Sequence, residues 1–222
     1  MRRIGVLLSG RGSNFEALAR VLKSRQLPAE VVIVISDKAD ARGIAIAKAL
    51  NIPTEIIERS PTEDKTTHSK RIQTALEAKN LDLIVMAGFM RILSSEFVSA
   101  FSGKIINIHP SLLPAFKGLN AQQQAYDAGV CFSGCTVHYV TAELDGGPII
   151  AQSVVPVLAT DTVEKLTARI LKEEHRLLPA VVAQIALGNV RMETEFGRSF
   201  VQWKSTSWLS SGEWSSSSIR LA

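Results

Sequence analysis

Cysteine is scarce: Cys131 and Cys135 are the only two in 222 residues. They cannot build a disulfide framework, and a C-x3-C pair without a second pair makes a poor zinc site, so both read as reduced thiols. No apolar run approaches the roughly 18 residues of a membrane span. The run at 4–8, behind Arg2 and Arg3, is too short for a signal peptide, so a cytoplasmic protein is expected. Excess charge is missing too. The net +4 is mildly basic, not the signature of a nucleic-acid binder. Arg2, Arg3, Arg11, Arg20, Lys23 and Arg25 face only Glu16 in the first 25 residues, which suits an anionic small molecule or an ordinary solvated face. With 46% apolar and 21% charged residues, collagen-like, coiled-coil and wholly disordered chains are excluded. A chain this long buries roughly 70% of its unfolded surface and needs no disulfide or metal staple.

What is present is alternation. Short apolar runs at 4–8, 31–35, 54–57, 81–86 and 104–108 read as strands. Helical patterns follow the first four: one carrying Phe15, Leu18 and Leu22, then 42–50, 62–79 and 94–101. The continuous β-branched run at 31–35 is the mark of a strand buried on both faces. Five strands alternating with four helices predict an α/β fold, an open, mainly parallel sheet with helices on both faces. The pattern then changes. A loop at 110–119 and a helix at 120–128 precede two apolar runs, 134–140 and 148–155. The turn Asp145-Gly146-Gly147 joins them as an antiparallel C-terminal hairpin. A long amphipathic helix over 162–187 presents Leu166, Ile170, Leu177, Val181 and Ile185, and Pro179 is expected to kink or break it. Residues 197–222 hold nine serines and all three tryptophans without a period. They are expected to form a poorly ordered or surface-packed tail.

Four segments bear on chemistry. Ser9-Gly10-Arg11-Gly12-Ser13-Asn14 lies between the first strand and helix, where glycines let backbone amides approach a phosphate at a helix N-terminus. It fails the dinucleotide fingerprint, because Phe15 stands where the third glycine belongs. Asp37, ending the second strand, would still suit a ribose hydroxyl. No Gly-Lys-Ser/Thr follows, so a Walker A loop is excluded. Asn107-Ile108-His109-Pro110 ends the fifth strand, at the edge where open α/β sheets place ligands. Period two puts Asn107 and His109 on one side. An amide that donates to an oxyanion beside an imidazole that moves protons serves carbonyl chemistry. Thr141-Ala142-Glu143-Leu144-Asp145 leads into the hairpin turn. If that hairpin folds onto the same edge, Asp145 meets His109 and favours the charged ring. His138 reads as a satisfied strand histidine; a metal site of His109, His138 and Asp145 is conceivable, but no spacing singles it out. Met86-Ala87-Gly88-Phe89-Met90-Arg91-Ile92-Leu93 is an apolar loop able to line a flat ligand, or simply core.

Asn107-Ile108-His109-Pro110-Ser111-Leu112-Leu113-Pro114, Phe116-x-Gly118 and Glu143-Leu144-Asp145-Gly146-Gly147-Pro148 together resemble the 10-formyltetrahydrofolate-dependent formyltransferases. The glycine loop, Ser36-Asp37-Lys38-Ala39-Asp40-Ala41 and Ala87-Gly88-Phe89-Met90-Arg91-Ile92-Leu93 are similar to the members that formylate glycinamide ribonucleotide in purine synthesis. The likeness runs from about residue 3 to about 194. It implies that Asn107, His109 and Asp145 are catalytic. It also implies that Gly12, Ser13, Asn14 and Glu174 bind the ribonucleotide. Lys65, Met90, Arg91, Ile92, Leu93, Asn107, Thr141, Ala142, Glu143, Leu144 and Asp145 would hold the folate. The co-substrate would be 10-formyltetrahydrofolate, with no metal, no nucleic acid and no membrane; monomer and homodimer both stay open. The expected organisation is one formyltransferase domain over 1–196, Rossmann-like in its N-terminal half, and a tail over 197–222.

Four other readings compete. A formyltetrahydrofolate deformylase would share the fifth-strand motif but is expected to carry an N-terminal regulatory domain. A methionyl-tRNA formyltransferase would need a C-terminal RNA-binding domain of about 100 residues. A nicotinamide oxidoreductase would use Gly10, Gly12 and Asp37. A non-catalytic binding module would keep the glycine loop without needing Asn107 beside His109.

Overall fold

The computed structural model describes residues 1–204 and the backbone of 219–221. The fold is α/β, and the chain divides into two compact units, Met1–Asn107 and Ile108–Ala222.

The first unit alternates as the hydrophobic runs predict: β1 (Arg2–Leu8), α1 (Ser13–Ser24), β2 (Ala29–Ser36), α2 (Arg42–Ala49), β3 (Thr54–Ile56), α3 (Lys65–Glu77), β4 (Leu83–Met86), α4 (Ser95–Ala100) and β5 (Ile105–His109), whose last two residues belong to the second unit. Every pairing is parallel: β1 lies between β2 and β4, with β3 outside β2 and β5 outside β4. Ile4, Val6, Leu7, Leu8, Ile33, Val34, Ile35, Ile84 and Val85 are all buried, as strands covered on both faces require. The chain builds outward from β1 through β2 to β3, then crosses back to β4 and β5. Right-handed crossovers with that reversal send α1 and α2 to one face and α3 and α4 to the other. α1 accordingly packs on α2, and α3 on α4. Side-chain caps fix two helix starts. Asp64 accepts from the Thr66 and Thr67 amides, so α3 begins later than position 62, and Ser94 accepts from Phe97.

The second unit holds α5 (Ala121–Asp127), β6 (Phe132–Tyr139), β7 (Ile149–Pro156), α6 (Val163–Ala186), β8 (Val190–Glu195), β9 (Arg198–Trp203) and β10 (Ile219–Leu221). β6 and β7 form the expected antiparallel hairpin, and α6 packs across both. Gly147 lets it close: a Cβ there would sit 1.9 Å from the Tyr139 carbonyl oxygen. β10 pairs antiparallel with β7.

One expectation is corrected. Pro179 does not break α6, which runs continuously from Val163 to Ala186. Leu177, Leu178, Ala180, Val181 and Val182 around it are fully buried, and that packing offsets the roughly 3 kcal/mol an interior proline costs. Of the segment expected to be a poorly ordered or surface-packed tail, residues 198–203 are described as a strand and most of the rest lies outside the described residues. Arg198–Trp203 forms β9 against β8 in a separate two-stranded ladder. That ladder carries Trp203, while Trp208 and Trp214 lie outside the described residues. Alternation is weak there because the hairpin is exposed on most of its surface. Among the described residues no helix is long and apolar enough to cross a membrane.

Candidate active site

In the first unit the strand order reverses between β1 and β4, the place where an open parallel sheet leaves a crevice at its C-terminal edge. The loops leaving these two strands are tied by one residue. The Ser9 amide donates to the Gly88 carbonyl at 3.0 Å, and Ser9 Oγ accepts from the Met90 amide at 2.8 Å. The glycine loop and the 90–93 segment are therefore neighbours.

Gly12 is the N-cap of α1 with φ 73°, in the left-handed region. A Cβ on it would stand 2.4 Å from Gly43 Cα, so only glycine fits without displacing α2. Lacking a side chain, Gly12 supplies no side-chain cap to α1. The helix start at Ser13 and Asn14 thus has the positive character that attracts an anion. The 90–93 segment is mixed. Met90 is 59% and Ile92 62% exposed, while Phe89 and Leu93 are buried. Two large apolar side chains thus stand in solvent on a loop rooted by buried neighbours, so this part of the segment is surface, not core. Arg91 Nε pairs with Asp37 at 2.6 Å. Lys65 is exposed at the first position of α3.

Strand β5 carries Asn107 and His109 two positions apart, on one side, with Ile108 between them buried. His109 is buried and bracketed by acceptors. Its Nε2 lies 2.9 Å from the Phe116 carbonyl oxygen, and its Nδ1 lies 3.4 Å from Asp145 Oδ2. Both ring nitrogens of His109 thus face oxygen atoms, one a backbone carbonyl and one a carboxylate. Asp145 is itself held. Its Oδ2 accepts the Gly118 amide at 2.9 Å, and its backbone adopts φ 48° at the tip of the hairpin. Ser111 Oγ donates to the Ala115 carbonyl at 2.6 Å, fixing the loop that delivers Phe116.

His138 is more than a strand residue. Its Nδ1 faces the Tyr139 carbonyl oxygen at 2.9 Å, and its Nε2 lies 3.7 Å from Asp145 Oδ1. Burial pushes the His138 pKa below its ordinary value, against the opposing pull of the Tyr139 carbonyl and Asp145. The neutral ring keeps its proton on Nδ1. The sequence carried no signal for this beyond a histidine in a strand, because the approach of His138 to Asp145 depends on how the hairpin closes.

Thr141, Ala142, Glu143 and Leu144 form the loop leading to Asp145, with Leu144 exposed and Glu143 paired to Lys117 Nζ at 2.7 Å. Glu174 is buried on α6. Its neighbour Glu173 accepts from Ser153 Oγ at 2.7 Å. Cys135 lies fully buried by these carboxylates, and burial first, then the two negative charges, hold its thiol well above the usual range.

The formyl transferase family model matches residues 2–182. The chain is 45% identical over 190 residues to the trifunctional purine biosynthetic protein adenosine-3 of Gallus gallus, covering 86% of this chain and 19% of that one; it thus spans about a fifth of the length of such relatives. It is 42% identical over 193 residues to a phosphoribosylglycinamide formyltransferase of Bacillus subtilis, covering 87% of this chain and 99% of that one. Among solved structures, a phosphoribosylglycinamide formyltransferase from Anaplasma phagocytophilum matches with a TM-score of 0.84 at 49% identity, covering 92% of this chain and 95% of that one. A formyltetrahydrofolate deformylase from Pseudomonas syringae reaches a TM-score of 0.82 at only 27% identity, covering 90% of this chain and 66% of that one. The chain belongs to the formyl transferase family.

Proposed function

We propose that this protein transfers the formyl group of 10-formyltetrahydrofolate to the amine of glycinamide ribonucleotide, a step of de novo purine synthesis. The observation that carries this reading is His109, a buried histidine at a strand end whose two nitrogens both face acceptors, two positions from Asn107. The amine nitrogen attacks the formyl carbon, and the carbonyl oxygen becomes an oxyanion in a tetrahedral intermediate. The Asn107 amide donates to that oxyanion. His109 Nε2 exchanges the Phe116 carbonyl for it, while Asp145, 3.4 Å from Nδ1, orients the ring. The intermediate collapses by breaking the bond to folate N10. His109 passes on the proton that the attacking nitrogen loses and N10 gains. The products are the formylated ribonucleotide and tetrahydrofolate.

Gly12, Ser13 and Asn14 take the ribonucleotide phosphate on the α1 amides, and Glu174 takes its amine. Lys65, Met90, Arg91, Ile92, Leu93 and the loop Thr141, Ala142, Glu143, Leu144 and Asp145 hold the folate, with Asn107 reaching its formyl group. The formyltransferase domain covers 1–196 and works in the cytoplasm as a monomer or homodimer, consistent with two free cysteines. Identities of 42% and 49% to transferases against 27% to a deformylase favour the amine over water as acceptor.

The test mixes the purified chain with a 10-formyl folate, with and without glycinamide ribonucleotide, and follows folate product by absorbance. Product that requires the ribonucleotide is expected. Product formed equally without it would make the enzyme a hydrolase and remove the role given to residues 12–14.

A further inference from the structure

Asp37 directly follows Ser36, the last residue of β2, and its side chain is fully buried at 0% exposure. One carboxylate oxygen, Oδ2, accepts from Arg91 Nε at 2.6 Å. The other, Oδ1, is buried and has no hydrogen-bond partner. The turn that carries Asp37 is pinned on both sides, because Ser36 Oγ donates to the Lys38 carbonyl at 3.0 Å and accepts from the Lys38 amide at 3.1 Å. Arg91 is 39% exposed, and its two Nη groups have no hydrogen-bond partner among the described residues.

This is a poor arrangement for stability alone. A carboxylate withdrawn from water with one oxygen unsatisfied is costly, and the strong form of this pair is the two-bonded fork, which uses an Nη as well. Contact through Nε alone does something else. It clamps the inner edge of the guanidinium and leaves the Nη donors uncommitted, beside the exposed Met90 and Ile92.

We infer that Asp37 is a positioning residue. It orients the Arg91 guanidinium through Nε so that both Nη groups are preset toward acceptor groups of the bound folate. The inference rests on the folate reading above. The benefit is preorganisation: Arg91 has long, flexible torsions whose ordering would otherwise be charged against binding.

The test is steady-state kinetics on the full chain with 10-formyl folate varied at saturating ribonucleotide and the reverse, together with a direct titration of the folate. Asp37→Ala is expected to raise the folate KM about tenfold, the loss typical of one hydrogen bond to a charged group. The kcat and the ribonucleotide KM should stay within about twofold, the pattern of lost ground-state binding. Asp37→Asn still offers Nε an acceptor and should hold the folate KM within about threefold of wild type. In an Arg91→Ala background, Asp37→Ala should add nothing.

Should Asp37→Ala fold poorly, Arg91→Lys carries the test. It keeps the charge, loses the Nε that Asp37 holds together with the two Nη groups, and should raise the folate KM by the same factor of about ten; an unchanged KM overturns the inference. An active wild type whose folate KM is indifferent to Asp37→Ala, or whose kcat alone falls, removes the role of Asp37 and leaves the proposed function standing. A wild type that neither binds the folate nor forms product removes both.

Discussion

Asp145 serves two histidines at once: its Oδ2 lies 3.4 Å from His109 Nδ1 and its Oδ1 lies 3.7 Å from His138 Nε2. The two rings are held differently. His109 sets its other nitrogen against the Phe116 carbonyl, whereas His138 sets its own against the Tyr139 carbonyl, and burial holds the His138 pKa below its ordinary value.

Removing either oxyanion partner should be severe. Asn107→Ala and His109→Ala are each expected to lower kcat by about 10²–10³, the usual loss for one oxyanion donor. Circular dichroism should remain that of the wild type. Near-normal turnover in either variant would refute the assignment. Asp145→Asn should lower kcat and alter its dependence on pH, and an unchanged pH profile would count against the pairing of Asp145 with His109.

Gly12→Ala should fail for two reasons that act together. The φ of 73° is left-handed, which costs a side-chain-bearing residue roughly 1–2 kcal/mol, and the added Cβ would press on Gly43 Cα. The expected result is a lower Tm and a raised ribonucleotide KM, with the folate KM much less affected. A variant with unchanged Tm and unchanged kinetics would contradict the close packing of α1 on α2.

His138 predicts acid sensitivity. Its folded pKa lies below the ordinary value of 6.5, so between the two values the unfolded chain binds more protons than the folded one. Stability must then rise with pH in that window and be lost as pH falls below about 6.5. His138→Gln should flatten the decline in Tm measured from pH 7 to pH 5. A slope equal to that of the wild type would show that other groups set it.

Asp161 predicts a second, lower window. The Arg169 guanidinium bonds both of its oxygens, at 2.6 and 2.7 Å, and with the Leu158 amide holds its carboxyl down at about 2. A depressed carboxylate contributes stability that is fully present above its unfolded value and lost as pH falls through its folded value. Asp161→Asn should lower Tm at pH 7, and the gap from wild type should close between about pH 4 and pH 2. A gap that persists at pH 2 would point to packing in place of charge.

The alternation of strands and helices was legible because each element depends on its own residues. Strands buried on both faces read as unbroken β-branched runs, as at 31–35, and caps such as Ser94 are local. The Asn107–His109 pair was legible for the same reason, since period two on a single strand fixes their common side. The status of Pro179 was not, because burial around it outweighs its local preference. β9 was not legible either, because an exposed hairpin has no core face to impose alternation.

The α/β order, the glycine-bounded loop before α1 and the placement of an amide and an imidazole at one strand end follow from neighbouring residues. The approach of Asp145 to His109, the sharing of that carboxylate with His138, the tie from Ser9 between the glycine loop and the 90–93 segment and the contact of Asp37 with Arg91 come from folding alone. The reason is physical. Side-chain direction along a strand follows from the bond geometry of neighbouring residues, whereas contacts between distant segments depend on how turns close and strands register, which the whole packed chain decides.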